Sequence, residues 1–131
     1  MNVSVKLLLI EDEPLILMNA QTVLEDGGYI CLTATDGVSG KKLIDDHIEQ
    51  AQALITDIRM EGAQGWELAR HARELKPTIP VVYTTGDSGA DWPSEGVPNS
   101  IVLTKPYADA QLLTAVSQLI NAAVGSQLLQ G

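Results

Sequence analysis

Short apolar runs that end on polar side chains recur along this chain. One of them, at residues 53–56, ends on Asp57, and glycines follow soon after it. Runs of this length, bounded by turn residues, are typical of buried strands in a parallel sheet. A further run that begins at Tyr29 has the same character. The predicted strands are 5–10, 29–35, 53–57, 80–84 and 101–104.

Segments with helical spacing of apolar residues lie between the predicted strands. Pro14 suits the first turn of the first helix, because its missing N–H is not needed there. The pair Gly27-Gly28 ends that helix, Asp36 is the expected N-cap of the second helix, and Pro77 ends the third. Strands therefore alternate with helices, which predicts an α/β fold with a parallel sheet covered on both faces.

The fourth helical segment has the weakest pattern. Residues 86–100 contain several glycines and prolines and few apolar side chains, so we expect only a short helix near 88–95. Residues 108–123 predict a strong last helix. We expect one domain over 1–131, with its core at about 5–121 and a loose tail at 122–131.

Composition and charge narrow the function classes. The chain has 131 residues, 45% of them hydrophobic, and no apolar run approaches the roughly 20 residues that cross a bilayer. Its formal net charge of -9 argues against binding nucleic acid over a broad surface. The start lacks a signal-peptide pattern, and the single Cys31 is expected to be buried and inert. We therefore expect a cytoplasmic protein that binds neither nucleic acid nor a membrane.

Acidic residues at the ends of two predicted strands form the candidate site. Glu11 and Asp12 follow the first strand and Asp57 ends the third, and open α/β sheets bind ligands at this edge. Like charges this close repel unless a cation compensates, and Mg²⁺ prefers oxygen ligands. Lys105 and Thr85 add a positive charge and a hydroxyl. The set suits phosphoryl transfer to a carboxylate, with Asp57 as nucleophile.

Other residues that could bind a metal or a ligand are not expected to join this site. His47 and His71 fall on predicted helices, apart from each other and from Cys31, so zinc is not expected. Trp66 and Trp92 are expected to be packing residues.

These motifs together resemble the response-regulator receiver domain of two-component signalling, in its stand-alone form. The resemblance covers about 5–121, and the order and spacing of the fragments make it specific, since each alone is commonplace. It implies a flavodoxin-like, doubly wound, five-stranded parallel sheet of order 2-1-3-4-5. The matching fragments are Leu9-Ile10-Glu11-Asp12-Glu13-Pro14, Asp57 with Met60 and Gly65 behind it, Thr85-Gly86, and Lys105-Pro106.

The resemblance also implies a role for each site residue. Asp57 would accept a phosphoryl group from a histidine kinase or a histidine phosphotransfer protein. Thr85, chosen over its neighbour Thr84 because Gly86 follows it, would hydrogen-bond that group, and Lys105 would pair with it. Mg²⁺ would be held by Glu11 through water, by Asp12, by Asp57 and by the main-chain carbonyl of Arg59.

Two positions depart from the family pattern. Glu61 stands where the family often has proline, and Val102 stands where it often has an aromatic switch residue. We therefore expect phosphorylation to reorder the backbone of 86–100, with the fifth strand and last helix, rather than to rotate a ring. We expect no effector domain after the last helix, and we therefore expect the output to be contact with an unknown downstream protein, or phosphate relay.

Two other functions remain open. A receiver-like binding module that works without phosphorylation is the first, although such domains usually lack an acid or the lysine. An aspartyl-phosphate hydrolase of the haloacid dehalogenase type is the second. That family carries a second aspartate two residues after its nucleophile, where this chain has Arg59, which counts against it. Acetyl phosphate with Mg²⁺ separates a receiver, which forms a labile aspartyl phosphate, from a binding module.

Overall fold

The computed structural model describes residues 4–87 and 89–130, with residues 124–130 described by their backbone only. Five strands alternate with five helices, and a single 3₁₀ turn, Ile48–Gln50, precedes the third strand. The strands are β1 Val5–Ile10, β2 Tyr29–Ala34, β3 Ala51–Asp57, β4 Val81–Thr85 and β5 Ser100–Thr104. The helices are α1 Pro14–Asp26, α2 Gly37–His47, α3 Gly65–Leu75, α4 Trp92–Glu95 and α5 Asp109–Gln130.

All five strands are parallel and lie in the order β2-β1-β3-β4-β5, so the predicted fold class and strand order are confirmed. The central strand β3 is buried along almost its whole length. Because successive side chains of a strand point to opposite faces, Leu8 and Ile10 pack with α2 and α3 while Leu7 and Leu9 pack with α1 and α5. Two apolar layers therefore fix the sheet, and with it the edge where its strands end.

Local sequence signals set several helix ends. Pro14 occupies the first turn of α1, and the main-chain N–H of Ser39 donates a hydrogen bond of 2.7 Å to the Asp36 carboxylate, which caps α2 as predicted. α3 ends at Leu75, just before Pro77. Within the residues that the structure describes, no helix is both long and apolar enough to cross a membrane.

The fourth and fifth helices differ from the sequence prediction in extent. α4 is a single turn from Trp92 to Glu95, shorter than the segment 88–95, and residue 88 itself lies outside the described residues. α5 continues to Gln130, so residues 122–130, where the sequence predicts a loose tail, are part of this helix. Alanine, leucine and glutamine favour helix in 122–130, and the single Gly125 costs only about 1 kcal/mol there.

Candidate functional site

The carboxyl ends of four strands deliver the candidate residues to one edge of the sheet. Glu11 and Asp12 directly follow β1, Asp57 ends β3, Thr85 ends β4, and Lys105 directly follows β5. β1 and β3 are neighbours at the point where the strand order reverses, which is where open α/β sheets form their crevice. The strand ends therefore place the acids at the centre of the crevice.

Lys105 connects the acids of two strands. Its Nζ lies 2.8 Å from Oε1 of Glu11 and 3.2 Å from Oδ2 of Asp57. Its main-chain N–H donates to the carbonyl of Thr85, 2.7 Å away, and the following peptide bond to Pro106 is cis. Only 13% of the Lys105 side chain is exposed. The lysine is therefore part of the site rather than a surface residue.

The three carboxylates predicted from sequence converge. Oxygen atoms of Glu11, Asp12 and Asp57 all lie within 4.8 Å of one another. Glu11 and Asp57 are buried, whereas Asp12 is exposed and opens the cluster to solvent. Oxygen donors with one open side fit Mg²⁺, which keeps several waters in its coordination shell. Glu11, Asp12 and Asp57 are thus the residues that could hold the cation.

Asp57 is held in one orientation and is difficult to ionise. Its Oδ1 accepts a hydrogen bond of 2.8 Å from the main-chain N–H of Ile58, while Oδ2 faces Lys105. Burial, and then the charge of Glu11, raise the pKa of Asp57 from 3.8 to about 7, against the opposing effect of Lys105. A second cation beside this carboxylate would favour its charged form.

Thr85, rather than Thr84, lines the cavity next to Asp57. This cavity has a volume of about 200 Å³ and is bordered by two of the three acids of the crevice, Asp12 and Asp57, by Thr85 and by Lys105. The Thr85 hydroxyl accepts a hydrogen bond of 3.1 Å from the main-chain N–H of Asp87. Thr84 is paired in register with Asp57 on the neighbouring strand and lies outside the cavity lining.

Sequence reasoning missed an ion pair at the mouth of the crevice. Nε of Arg59 lies 2.8 Å from the Asp87 carboxylate, which joins the loop after β3 to the loop after β4. Each residue stands two positions after a site residue, Asp57 or Thr85, and the opposite charges at matched spacing were the available signal. The Arg59 side chain is therefore engaged in this ion pair at the mouth of the crevice. Glu61 is exposed on the same loop and lines a wider groove.

The remaining candidates lie away from the crevice. His71 contacts Asp45 across α2 and α3, and His47 pairs with Gln50 at the end of α2. Trp66 packs edge-on against Tyr83 with ring centroids 4.6 Å apart, in agreement with a packing role. Cys31 is buried, and burial raises the pKa of its thiol to about 12, so it is inert as predicted.

Comparison with known proteins identifies a single family over most of the chain, the one that the sequence motifs resemble. The profile of the response regulator receiver domain matches residues 7–117. The chain is 29% identical over 120 residues to the response regulator receiver protein CpdR of Brucella abortus, covering 90% of this chain and 98% of CpdR. It also resembles the transcriptional regulatory protein GlrR of Escherichia coli, at 26% identity, but spans only 26% of that protein.

Solved structures show the same likeness. The crystal structure of a response regulator receiver protein from Sinorhizobium medicae has a TM-score of 0.88 at 39% identity, covering 92% of this chain and 97% of that one. A receiver domain structure from Clostridium thermocellum has a TM-score of 0.82 at 29% identity, with 95% and 98% coverage. This protein therefore belongs to the response regulator receiver domain family of two-component signalling.

Proposed function

We propose that this chain is a cytoplasmic phosphoacceptor, and that Asp57 takes a phosphoryl group from the phosphohistidine of a histidine kinase or phosphotransfer protein. The observation that carries the proposal is the position of the Asp57 carboxylate, held between two further acids and the ammonium of Lys105. A carboxylate oxygen of Asp57 attacks phosphorus, the bond from phosphorus to the donor imidazole breaks, and the imidazole leaves with that electron pair.

Residues of this chain supply positioning and charge for that transfer. The N–H of Ile58 fixes the carboxylate plane through Oδ1, and Lys105 stands where it can neutralise charge on the incoming group. The Thr85 hydroxyl borders the same cavity and can donate to a phosphoryl oxygen. Bound Mg²⁺ would neutralise the phosphoryl charge, with Glu11, Asp12, Asp57 and the Arg59 carbonyl as its protein ligands.

Acetyl phosphate labelling tests this proposal directly. Wild-type protein with Mg²⁺ should form an acid-stable, base-labile adduct, and Asp57→Asn should abolish it while leaving the circular dichroism spectrum unchanged. Asp26→Asn, which removes an exposed acid of α1, is the matched control and should label like the wild type. Labelling that persists in Asp57→Asn would disprove the assignment. Absence of labelling in the wild type would instead favour a binding module that works without phosphorylation.

A further inference from the structure

A groove of about 900 Å³ opens beside the crevice, between the loop after β3 and the loop after β4. Its lining is mixed: the half-buried Met60 and the buried Ile58 and Trp66 lie beside polar residues that include Asp12, Gln64 and Thr85. This volume lies at the upper end of the range for ligand sites and far exceeds the roughly 30 Å³ of a water molecule. The groove is therefore large enough for several side chains of another molecule.

The groove is open because α4 is so short. The residues just before this helix, Gly89 and Ala90, border the groove with little or no side chain. The first residue of α4, Trp92, does not fill the space, because its indole Nε1–H donates to Ser100 Oγ, 2.9 Å away. Gly89 adopts a φ of +74°, which residues with a side chain rarely adopt, so the backbone at this position favours glycine.

The rim of the groove carries unbalanced negative charge. Asp87 is neutralised by Arg59 at 2.8 Å. Glu61 and Asp91 also line the groove, both are exposed, and over residues 4–87 and 89–123 neither is within ion-pair distance of a cation. A mixed lining that includes Met60, beneath an acidic rim, matches a ligand that combines cationic groups with some apolar ones.

We propose that this groove is a docking site for a partner-protein segment that combines apolar side chains with arginine or lysine. Apolar side chains would cover Met60 and Trp66, and the cationic groups would reach Glu61 and Asp91. The size of the groove suits a peptide segment better than an ion. This proposal goes beyond the phosphoacceptor role, since the groove is present without a phosphoryl group. It also places a partner on both loops that flank Asp57.

Titration of the full chain with a probe peptide tests the proposal. The probe is a short synthetic peptide of alternating leucine and arginine, and two matched peptides carry glutamate for arginine or serine for leucine. We expect saturable amide shift changes in the ¹⁵N spectrum at 58–66, 85–87 and 89–91 with the leucine–arginine peptide. Both matched peptides should bind more weakly, because each removes one half of the complementarity.

Charge variants separate docking in the groove from attraction to an acidic protein. Glu61→Gln combined with Asp91→Asn should weaken binding of the probe roughly fivefold, the scale of two exposed ion pairs. The control combines Glu25→Gln with Glu74→Gln, which removes the same charge from exposed positions on α1 and α3, and should change binding little. Equal weakening in both pairs, or shift changes mapping to another face, would overturn the proposal. Labelling of Asp57 is measured separately, so either proposal can fail alone.

Discussion

At the scale of single residues, Asp57 is the group whose surroundings matter most. It is buried beside Glu11, and its only close cation is Lys105 among the residues that the structure describes. Such a carboxyl group holds its proton more tightly in the folded chain than in the unfolded chain, because burial and Glu11 raise its pKa to about 7. Folding therefore binds a proton, and stability falls as the pH rises from about 4 towards 7.

This linkage predicts how Asp57→Asn changes stability with pH. Asparagine resembles the protonated carboxyl group and carries no charge, so the variant should gain stability relative to wild type as the pH rises. Without divalent cations, we expect the gain at pH 8 to exceed that at pH 5 by about 1–3 kcal/mol, since one pKa unit corresponds to about 1.4 kcal/mol. Urea unfolding of both proteins at the two pH values measures it. An equal gain at both values would contradict the raised pKa.

At the scale of elements, the segment between β4 and β5 divides into two parts. Hydrogen bonds hold the part from Trp92 to Ser100 in place. The Ser100 hydroxyl accepts a hydrogen bond from the Trp92 indole, and the N–H of Val97 donates to the Tyr83 hydroxyl at 3.1 Å. Arg70 of α3 also holds Glu95 at 2.7 Å. Closer to Thr85, Asp87 is held by its ion pair with Arg59 and by the hydrogen bond that its N–H donates to the Thr85 hydroxyl, so its position depends on the site itself.

Hydrogen exchange should therefore locate the switch close to Thr85. With beryllofluoride as phosphoryl mimic, we expect the largest protection changes at 86–87 and 89–91, and smaller ones at 92–100, β5 and α5. The physical reason is that a Thr85 hydroxyl turning to donate to the phosphoryl group would move the oxygen that accepts from the N–H of Asp87, and so displace this stretch of backbone. Asp57→Asn treated in the same way is the control. Changes confined to α1 and α2 would show that the signal takes another route.

Sequence patterns predicted the elements whose signals are local. β1, β3, β4 and β5 are short apolar runs that end on a polar group, so these strands could be predicted to within two residues at each end. The helical extension to Gln130 was missed because the ends of chains are often loose, although alanine, leucine and glutamine favour helix there. The groove was missed because it depends on how two loops approach each other, and the matched spacing of Arg59 and Asp87 becomes a signal only once their strands are known to be neighbours.

At the scale of the whole molecule, the acidic excess has two components that behave differently. Most of the net charge of -9 is spread over exposed side chains, and any salt screens it. Glu11 and Asp12 instead meet Asp57, which lies far along the chain, only in the folded state. A cation bound by this cluster therefore favours the folded state specifically, because the unfolded chain has no such site.

Mg²⁺ should consequently raise the melting temperature of the wild type beyond the effect of ionic strength alone. At a Mg²⁺ concentration 100 times the dissociation constant, the stabilisation is about 2.7 kcal/mol. This corresponds to a rise of several degrees in melting temperature for a domain of this size. Differential scanning calorimetry with MgCl₂, against KCl at equal ionic strength, measures the rise. Asp12→Ala should lose most of it, because Asp12 is the acid of the cluster that is open to solvent. Asp26→Asn should retain it, since that change removes one negative charge away from the cluster. A rise of the same size in Asp12→Ala would place the cation elsewhere on the acidic surface.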